Sequence, residues 1–239
     1  MCKIIGNIAF TPDKLTEITI HSRGRTAPID LQYVLEDGTV IVPYDQFLWK
    51  NRVVDEVAYI WTSNGPVTIE KKLDDVLPIP GCFMVSLESP HRCEYTLDPE
   101  FSPLGPLRDG DSRQNLINFL PSLIEQIGGI ADGTEIVLCN PVPYQASLDR
   151  LMVKDVKLQK ALRNAVWKGL FRGGFRNDFE SRVARYKPAV VLNACTYDLK
   201  KESLEALKSV RYHQGANSFR LYATQHPSWW GAHTLSPVP

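Results

Sequence analysis

The chain reads as an α/β protein: three layers, with a central, mostly parallel four-stranded sheet flanked by helices and an N-terminal antiparallel β appendage. Three observations predict this. Four short apolar runs recur after residue 81, separated by segments of helical period; parallel strands need long crossovers, and these are usually helices. The runs are apolar throughout rather than alternating, as strands covered on both faces require. The first 80 residues lack that rhythm and carry instead two pairs of β runs, each pair hinged on a tight-turn dipeptide.

Taken in order, LQYVLEDGTVIVPY (31–44) is two alternating runs around Asp37-Gly38, and EVAYIWTSNGPVTIEKK (56–72) repeats the design around Asn64-Gly65. Such dipeptides supply the positive φ of a two-residue hairpin turn. A short helix is expected near Tyr44–Lys50. Pro78, Pro80 and Gly81 then punctuate the chain, placing the appendage at 1–80 and the main domain at 81–239. CFMVSL (82–87) is the first buried run. SRQNLINFLPSLIEQI (112–127) has apolar residues at 116, 117, 120, 123, 124 and 127, a helical spacing. EIVLCN (135–140) is the second run, and residues 155–185 read as one or two helices broken at Gly173-Gly174. PAVVLNAC (188–195), the helix LKKESLEALKSV (199–210) and FRLYAT (219–224) complete the alternation.

Composition excludes several classes of function. Lys plus Arg and Asp plus Glu both number 27 in 239 residues, so no bulk positive charge holds the chain to nucleic acid, although a local basic patch stays open. The 44% hydrophobic content is enough for a core and argues against wholesale disorder. No stretch approaches the ~20 apolar residues of a membrane span, and MCKIIGNIAF has no signal-peptide core. A cytoplasmic, monomeric enzyme without a membrane partner is expected. The five cysteines (2, 82, 93, 139, 195) are odd in number and show no Cys-x-x-Cys, and the five histidines show no His-x-x-x-His. Neither a metal site nor a cofactor is expected.

Ligands of such sheets bind at the loops leaving the carboxyl ends of the strands. There the polar residues gather: Glu88-Ser89-Pro90-His91 after the first run, Asn140 after the second, Asn193 at the third, and Gln225-His226-Pro227-Ser228-Trp229-Trp230 after the fourth. Each alone has an ordinary reading as a turn former, cap or solvated loop residue. Their joint placement at successive strand ends points to one site.

LESPH (87–91), VLCNP (137–141) and TQHPSWW (224–230) resemble, in order and spacing, the three signature segments of the uracil-DNA glycosylase superfamily. The resemblance covers residues 82–230. In that family the first strand ends in a GQDPYH, GEAPG or GINPG loop, the second in an asparagine-bearing segment, and the last in His-Pro-Ser. Leu87 stands where the family prefers glycine. Aligning on the proline sets Glu88 against the glutamate of the iron–sulfur branch; aligning on the final histidine sets it against the catalytic aspartate. The absence of paired cysteines argues against the iron–sulfur branch itself.

The resemblance implies a DNA glycosylase acting on single- or double-stranded DNA, in base-excision repair or against phage, on a damaged, deaminated or modified pyrimidine. Breaking an N-glycosidic bond builds cationic sugar and anionic base, so a carboxylate is needed on the sugar side and a donor on the base side. Glu88 and His226 are the catalytic candidates. Asn140 suits base recognition, since a carboxamide offers donor and acceptor together. Ser89 and His91 are further base-pocket candidates, and Tyr95 or Phe101 would stack on the flipped base. Pro90, Ser228, Trp229 and Trp230 would contact DNA, one tryptophan filling the vacated stack. Within WKGLFRGGFRNDFESRVARYK (167–187), Lys168, Arg172, Arg176, Arg182, Arg185 and Lys187 form a candidate phosphate-facing stripe; Arg172 and Arg176 are its leading members. Phe171, Phe175 and Phe179 are expected to face the core opposite. Two other readings stay open: a non-catalytic base- or nucleotide-binding module of the same fold, and a Ser/Cys hydrolase using Cys93 or Ser86, which no Gly-x-Ser-x-Gly elbow supports.

Overall fold

The structure, a computed structural model, describes residues 51–74, 76–96, 102–108, 111–146, 163–164, 167–215, 218–232 and 235–238, together with the strand residues among the first 50 that are named next. Strands β1 (Cys2–Lys3), β4 (Glu17–Ser22) and β5 (Thr39–Pro43) form an antiparallel sheet, and β2 (Phe10–Thr11) pairs with β3 (Lys14–Leu15). Strand β5 therefore runs beside β4. Residues 31–36, its expected hairpin partner, and the expected helix at 44–50 lie outside the described residues.

The main sheet contains β6 (Glu56–Thr62), β7 (Gly65–Lys72), β8 (Phe83–Ser86), β9 (Glu135–Cys139), β10 (Val190–Asn193), β11 (Arg220–Ala223) and β12 (Ser236–Pro237). Its seven strands are ordered β12-β11-β10-β8-β9-β6-β7. Pairs within β11-β10-β8-β9 are parallel, while β12 adds antiparallel at one edge and the β6–β7 hairpin at the other. The sheet is thus mixed and larger than the four strands expected. The hairpin assigned to an appendage hydrogen-bonds along β9 instead, with Glu56 opposite Leu138 and Val57 opposite Val137. Its turn is Ser63-Asn64, one residue earlier than the Asn64-Gly65 reading, and Gly65 opens β7 at φ 106°, a conformation that costs glycine little.

Helix α1 (Asp111–Ile127) covers one face, and α2 (Arg176–Tyr186) and α3 (Tyr197–Gln214) cover the other. Alternation along the strands divides the core. Phe83, Val85, Ile136, Leu138, Val190 and Leu192 pack with Leu116, Leu120, Leu123 and Ile124 of α1. Met84, Val137, Cys139 and Val191 pack with Phe179, Val183, Leu199, Ala206, Leu207 and Val210. Each such side chain contributes about 1.5–3 kcal/mol by leaving water, which is why uniformly apolar runs became central strands. Before α2 the chain makes a π-helical turn, Phe171–Phe175, in which Gly174 is non-helical (φ 159°, ψ −27°), so the break falls where the glycine pair placed it. Phe171, Phe175 and Phe179 are buried, as their spacing required.

The parallel strands end level: Asn193 lies opposite both Ser86 and Ala223, and Ser86 lies opposite Cys139. The loops carrying Glu88, Asn140, Thr196 and His226 therefore leave one edge of the sheet.

Candidate functional site

Glu88 owes its place to continued pairing beyond β8. The Leu87 N–H donates to the Cys139 carbonyl at 2.8 Å, and Leu87 has no positive φ, so this turn needs no glycine. The Glu88 carbonyl then accepts from Val142 N–H (3.3 Å) and from the Trp167 indole (3.0 Å). Its carboxylate is buried and accepts a hydrogen bond from the hydroxyl of Thr196, the residue that precedes α3. Arg163 Nε stands 3.7 Å away. An ion taken from water needs such partners, because desolvation otherwise costs several kcal/mol.

His226 is half-buried after β11, in a segment begun by the Thr224 N–H···Asn193 carbonyl bond (3.0 Å). Its Nδ1 accepts the Ser228 backbone N–H at 3.3 Å and lies 2.9 Å from the Ser228 hydroxyl. A nitrogen that accepts an N–H carries no proton, so in the neutral ring the proton sits on Nε2. Burial pushes the His226 pKa down to about 4, with the positive charges of Arg163, His91 and Lys200 adding to the effect. The imidazole is therefore a neutral donor at physiological pH. Arg163 acts on both Glu88 and His226, which ties the two candidates to one electrostatic site.

Asn140 is 1% exposed and is held by its backbone. Its N–H donates to Asp55 Oδ1 (3.3 Å), and its carbonyl accepts from Arg182 Nη2 (2.9 Å). Arg182 reaches the site from α2 and also binds Asp55 Oδ2 (2.5 Å), Asp178 Oδ2 (2.8 Å) and Cys139 Sγ (3.1 Å). The Tyr186 hydroxyl donates to the same Asp55 oxygen at 2.9 Å. This clamp leaves the side-chain amide uncommitted: neither Nδ2 nor Oδ1 of Asn140 has a hydrogen-bond partner among the described residues.

The remaining candidates divide. Ser89 presents a buried, unpartnered Oγ beside the site, Pro90 is buried, and half-buried His91 has Nδ1 3.6 Å from Cys93 Sγ. Ser86, the other candidate nucleophile, is wholly buried at the end of β8. Tyr95 is a core residue, packed with Val53 and bridged to Pro103. Phe101 lies outside the described residues. Trp229 is 72% exposed beside exposed Ser228, in the turn Pro227–Ala232. Trp230 is 0% exposed, packs on the α1 side of the sheet and donates its indole N–H to the Gln225 carbonyl (2.6 Å). That corrects the reading of both tryptophans as DNA contacts, since neighbouring residues of this turn point to opposite sides. Within the basic stripe, Arg182 is corrected and three other cations are paired within the chain. Arg172 is paired with Glu202 (2.6 and 2.9 Å), Arg176 with Glu180 (2.9 Å) and Lys168 with Glu202 (3.7 Å), and Arg182 is buried. Arg172, Arg185 and Lys187 remain exposed.

Arg163, Thr196, Lys200, Glu94 and Asp55 escaped the sequence reading, and Arg182 entered it only as a cation of the stripe. None belongs to a motif, and each reaches the strand-end edge only through packing of its own segment. The one available signal was the Asp55-Glu56 pair leading into an apolar strand, where a buried acid needs a partner.

Among the described residues no helix is long and apolar enough to cross a membrane, and no group of three His, Cys, Asp or Glu is placed to hold a metal ion. Comparison with family models, with curated proteins and with solved structures finds no match to this chain.

Proposed function

We propose that this protein is a DNA glycosylase: it flips a damaged, deaminated or modified pyrimidine out of DNA and hydrolyses the N-glycosidic bond, leaving an abasic site. The observation that supports the reading best is the pairing, at one edge of the sheet, of a buried carboxylate with an imidazole kept neutral, both within reach of Arg163. In this mechanism the glycosidic bond breaks with its electrons passing to the base. Nε2–H of His226 donates to the resulting anion, a role only a protonated Nε2 can fill. Glu88 stabilises the cationic sugar and takes the proton of the water whose oxygen bonds to the anomeric carbon. Asn140 reads the edge of the base. Exposed Trp229 occupies the space the base vacates in the stack.

The binding of Glu88 by Thr196 and Arg163 favours a second reading, a base-binding module without chemistry in which Glu88 anchors the loop. One experiment separates the two. Oligonucleotides each carrying a single modified pyrimidine are incubated with the wild-type protein and with Glu88→Gln, and abasic sites are scored under single-turnover conditions. The enzyme reading expects excision of at least one base and a loss of about 100-fold or more in the variant, the usual scale for a general base. Absence of abasic sites with every substrate, or equal rates in the two proteins, rejects it.

A further inference from the structure

Beside Asn140 lies a second buried group that the mechanism does not use. Glu94, on the single helical turn Arg92–Glu94 after β8, is 2% exposed. Its backbone is held by Glu94 N–H···His91 carbonyl (2.9 Å) and Leu104 N–H···Glu94 carbonyl (2.8 Å) bonds. Its carboxyl receives the backbone N–H groups of His91 and Leu107. Yet Oε2 has no hydrogen-bond partner among the described residues, and the same holds for both side-chain polar atoms of adjacent Asn140, for Ser89 Oγ and for Gln145 Oε1. Folded proteins leave few buried polar atoms unpaired, and the adjacent Glu94 and Asn140 mark a place that a ligand completes.

We propose that Glu94 is a second reader of the bound base, donating its carboxyl O–H, beside the Asn140 amide, to a carbonyl of a pyrimidine ring. The base-excision reading supplies only the class of ligand. The donor role follows from the surroundings of the carboxyl. Burial pushes its pKa up to about 8, and Glu56 on β6 adds to the rise. The His91 and Leu107 N–H groups oppose it, as does the nearby Asn140 amide, which stops short of hydrogen-bond geometry. At neutral pH the carboxyl therefore keeps its proton, and Oε2 has no hydrogen-bond partner among the described residues. A carboxyl and a carboxamide side by side ask for a ring edge with a carbonyl next to a second polar group, as uracil and cytosine both have. A base without that carbonyl leaves the O–H unpaired and is rejected.

The test is binding of free uracil, cytosine and 2-aminopyrimidine, which lacks the carbonyl, followed by ligand-detected NMR. Wild type, Glu94→Gln and Glu94→Met are compared at pH 7 and pH 9, with folding checked by circular dichroism. Wild type is expected to bind at least one of the two carbonyl-bearing bases, with affinity falling about tenfold from pH 7 to pH 9 as the carboxyl ionises. Glu94→Gln keeps an N–H donor that does not ionise, so its affinity ratio between the two pH values should stay near one. Glu94→Met should lose about tenfold or more at pH 7. Equal binding by wild type and Glu94→Met, a fall with pH that persists in Glu94→Gln, preference for 2-aminopyrimidine, or no binding of either carbonyl base overturns the proposal. Base binding with this pattern but without abasic-site formation rejects the enzyme reading and leaves Glu94 in its role.

Discussion

Replacing Arg182 with Met tests whether the clamp behind Asn140 holds the fold and the site together. The guanidinium is 5% exposed and the Asp55 carboxylate 1% exposed, so water screens their interaction little. Removing the cation leaves Asp55 with neutral partners such as the Tyr186 hydroxyl and the Asn140 N–H, and leaves the Asn140 carbonyl without the Arg182 Nη2 donor. Breaking a buried pair from one side costs about 3–5 kcal/mol, and an orphaned carbonyl about 1–3 kcal/mol. These penalties overlap, so we expect a loss of about 4 kcal/mol for Arg182→Met. Urea unfolding of Arg182→Met, Asp55→Asn and the double variant measures the coupling, which should be at least about 2 kcal/mol in favour of the double variant over the sum of the singles. The same backbone bonds aim the Asn140 side chain, so excision by folded Arg182→Met should fall more than excision by Asp178→Asn, which weakens the pairs to Arg182 Nε and Arg52 but leaves the bond to the Asn140 carbonyl in place. A cost below about 1 kcal/mol, or additive single variants, would show that the pair is incidental.

Three further outcomes are expected. His226→Ala should slow the chemical step by about 2–4 kcal/mol with DNA affinity little changed. Because the wild-type pKa is pushed down to about 4, the rate should show no titration of this group near 6.5. The sign for stability agrees: a depressed pKa gives a contribution that is complete above 6.5 and lost on acidification towards 4. Trp230→Ala should destabilise by about 3–5 kcal/mol, as a truncated core aromatic does. Trp229→Ala should unfold within about 0.5 kcal/mol of wild type yet excise more slowly from duplex than from single-stranded DNA; an unchanged duplex rate removes Trp229 from the DNA face. Asn140→Asp, which exchanges a donor for an acceptor, should shift the preference between two oligonucleotides that differ only in the 4-substituent of the target pyrimidine. An unaltered ratio removes Asn140 from the base pocket.

The sequence by itself determined the layers. Uniformly apolar runs such as CFMVSL and EIVLCN can be satisfied only by strands covered on both faces, and the spacing of Leu116, Leu120, Leu123 and Ile124 allows one buried helical stripe. Local chemistry also placed the break at the Gly173-Gly174 pair, and the alternation put Glu88, Asn140 and His226 at strand ends. What tertiary structure alone decided concerns partners. The hairpin at 56–72 has the same local pattern whether it stands in an appendage or extends the main sheet; only the free edge of β9 settled the matter. Adjacent Trp229 and Trp230 are identical in sequence terms, and the core on the α1 side took one of them. Arg182 looks like any cation of the 167–187 stripe until the buried carboxylate of Asp55, 127 positions earlier, gives it a reason to turn inward. Glu94 has an ordinary carboxyl until burial removes the water that would ionise it. Hydrophobic pattern is written in periodicities of two and 3.6 residues and can be read locally. The pairing of buried polar groups depends on which distant segment excludes water from each, and that information exists only once the chain has closed around them.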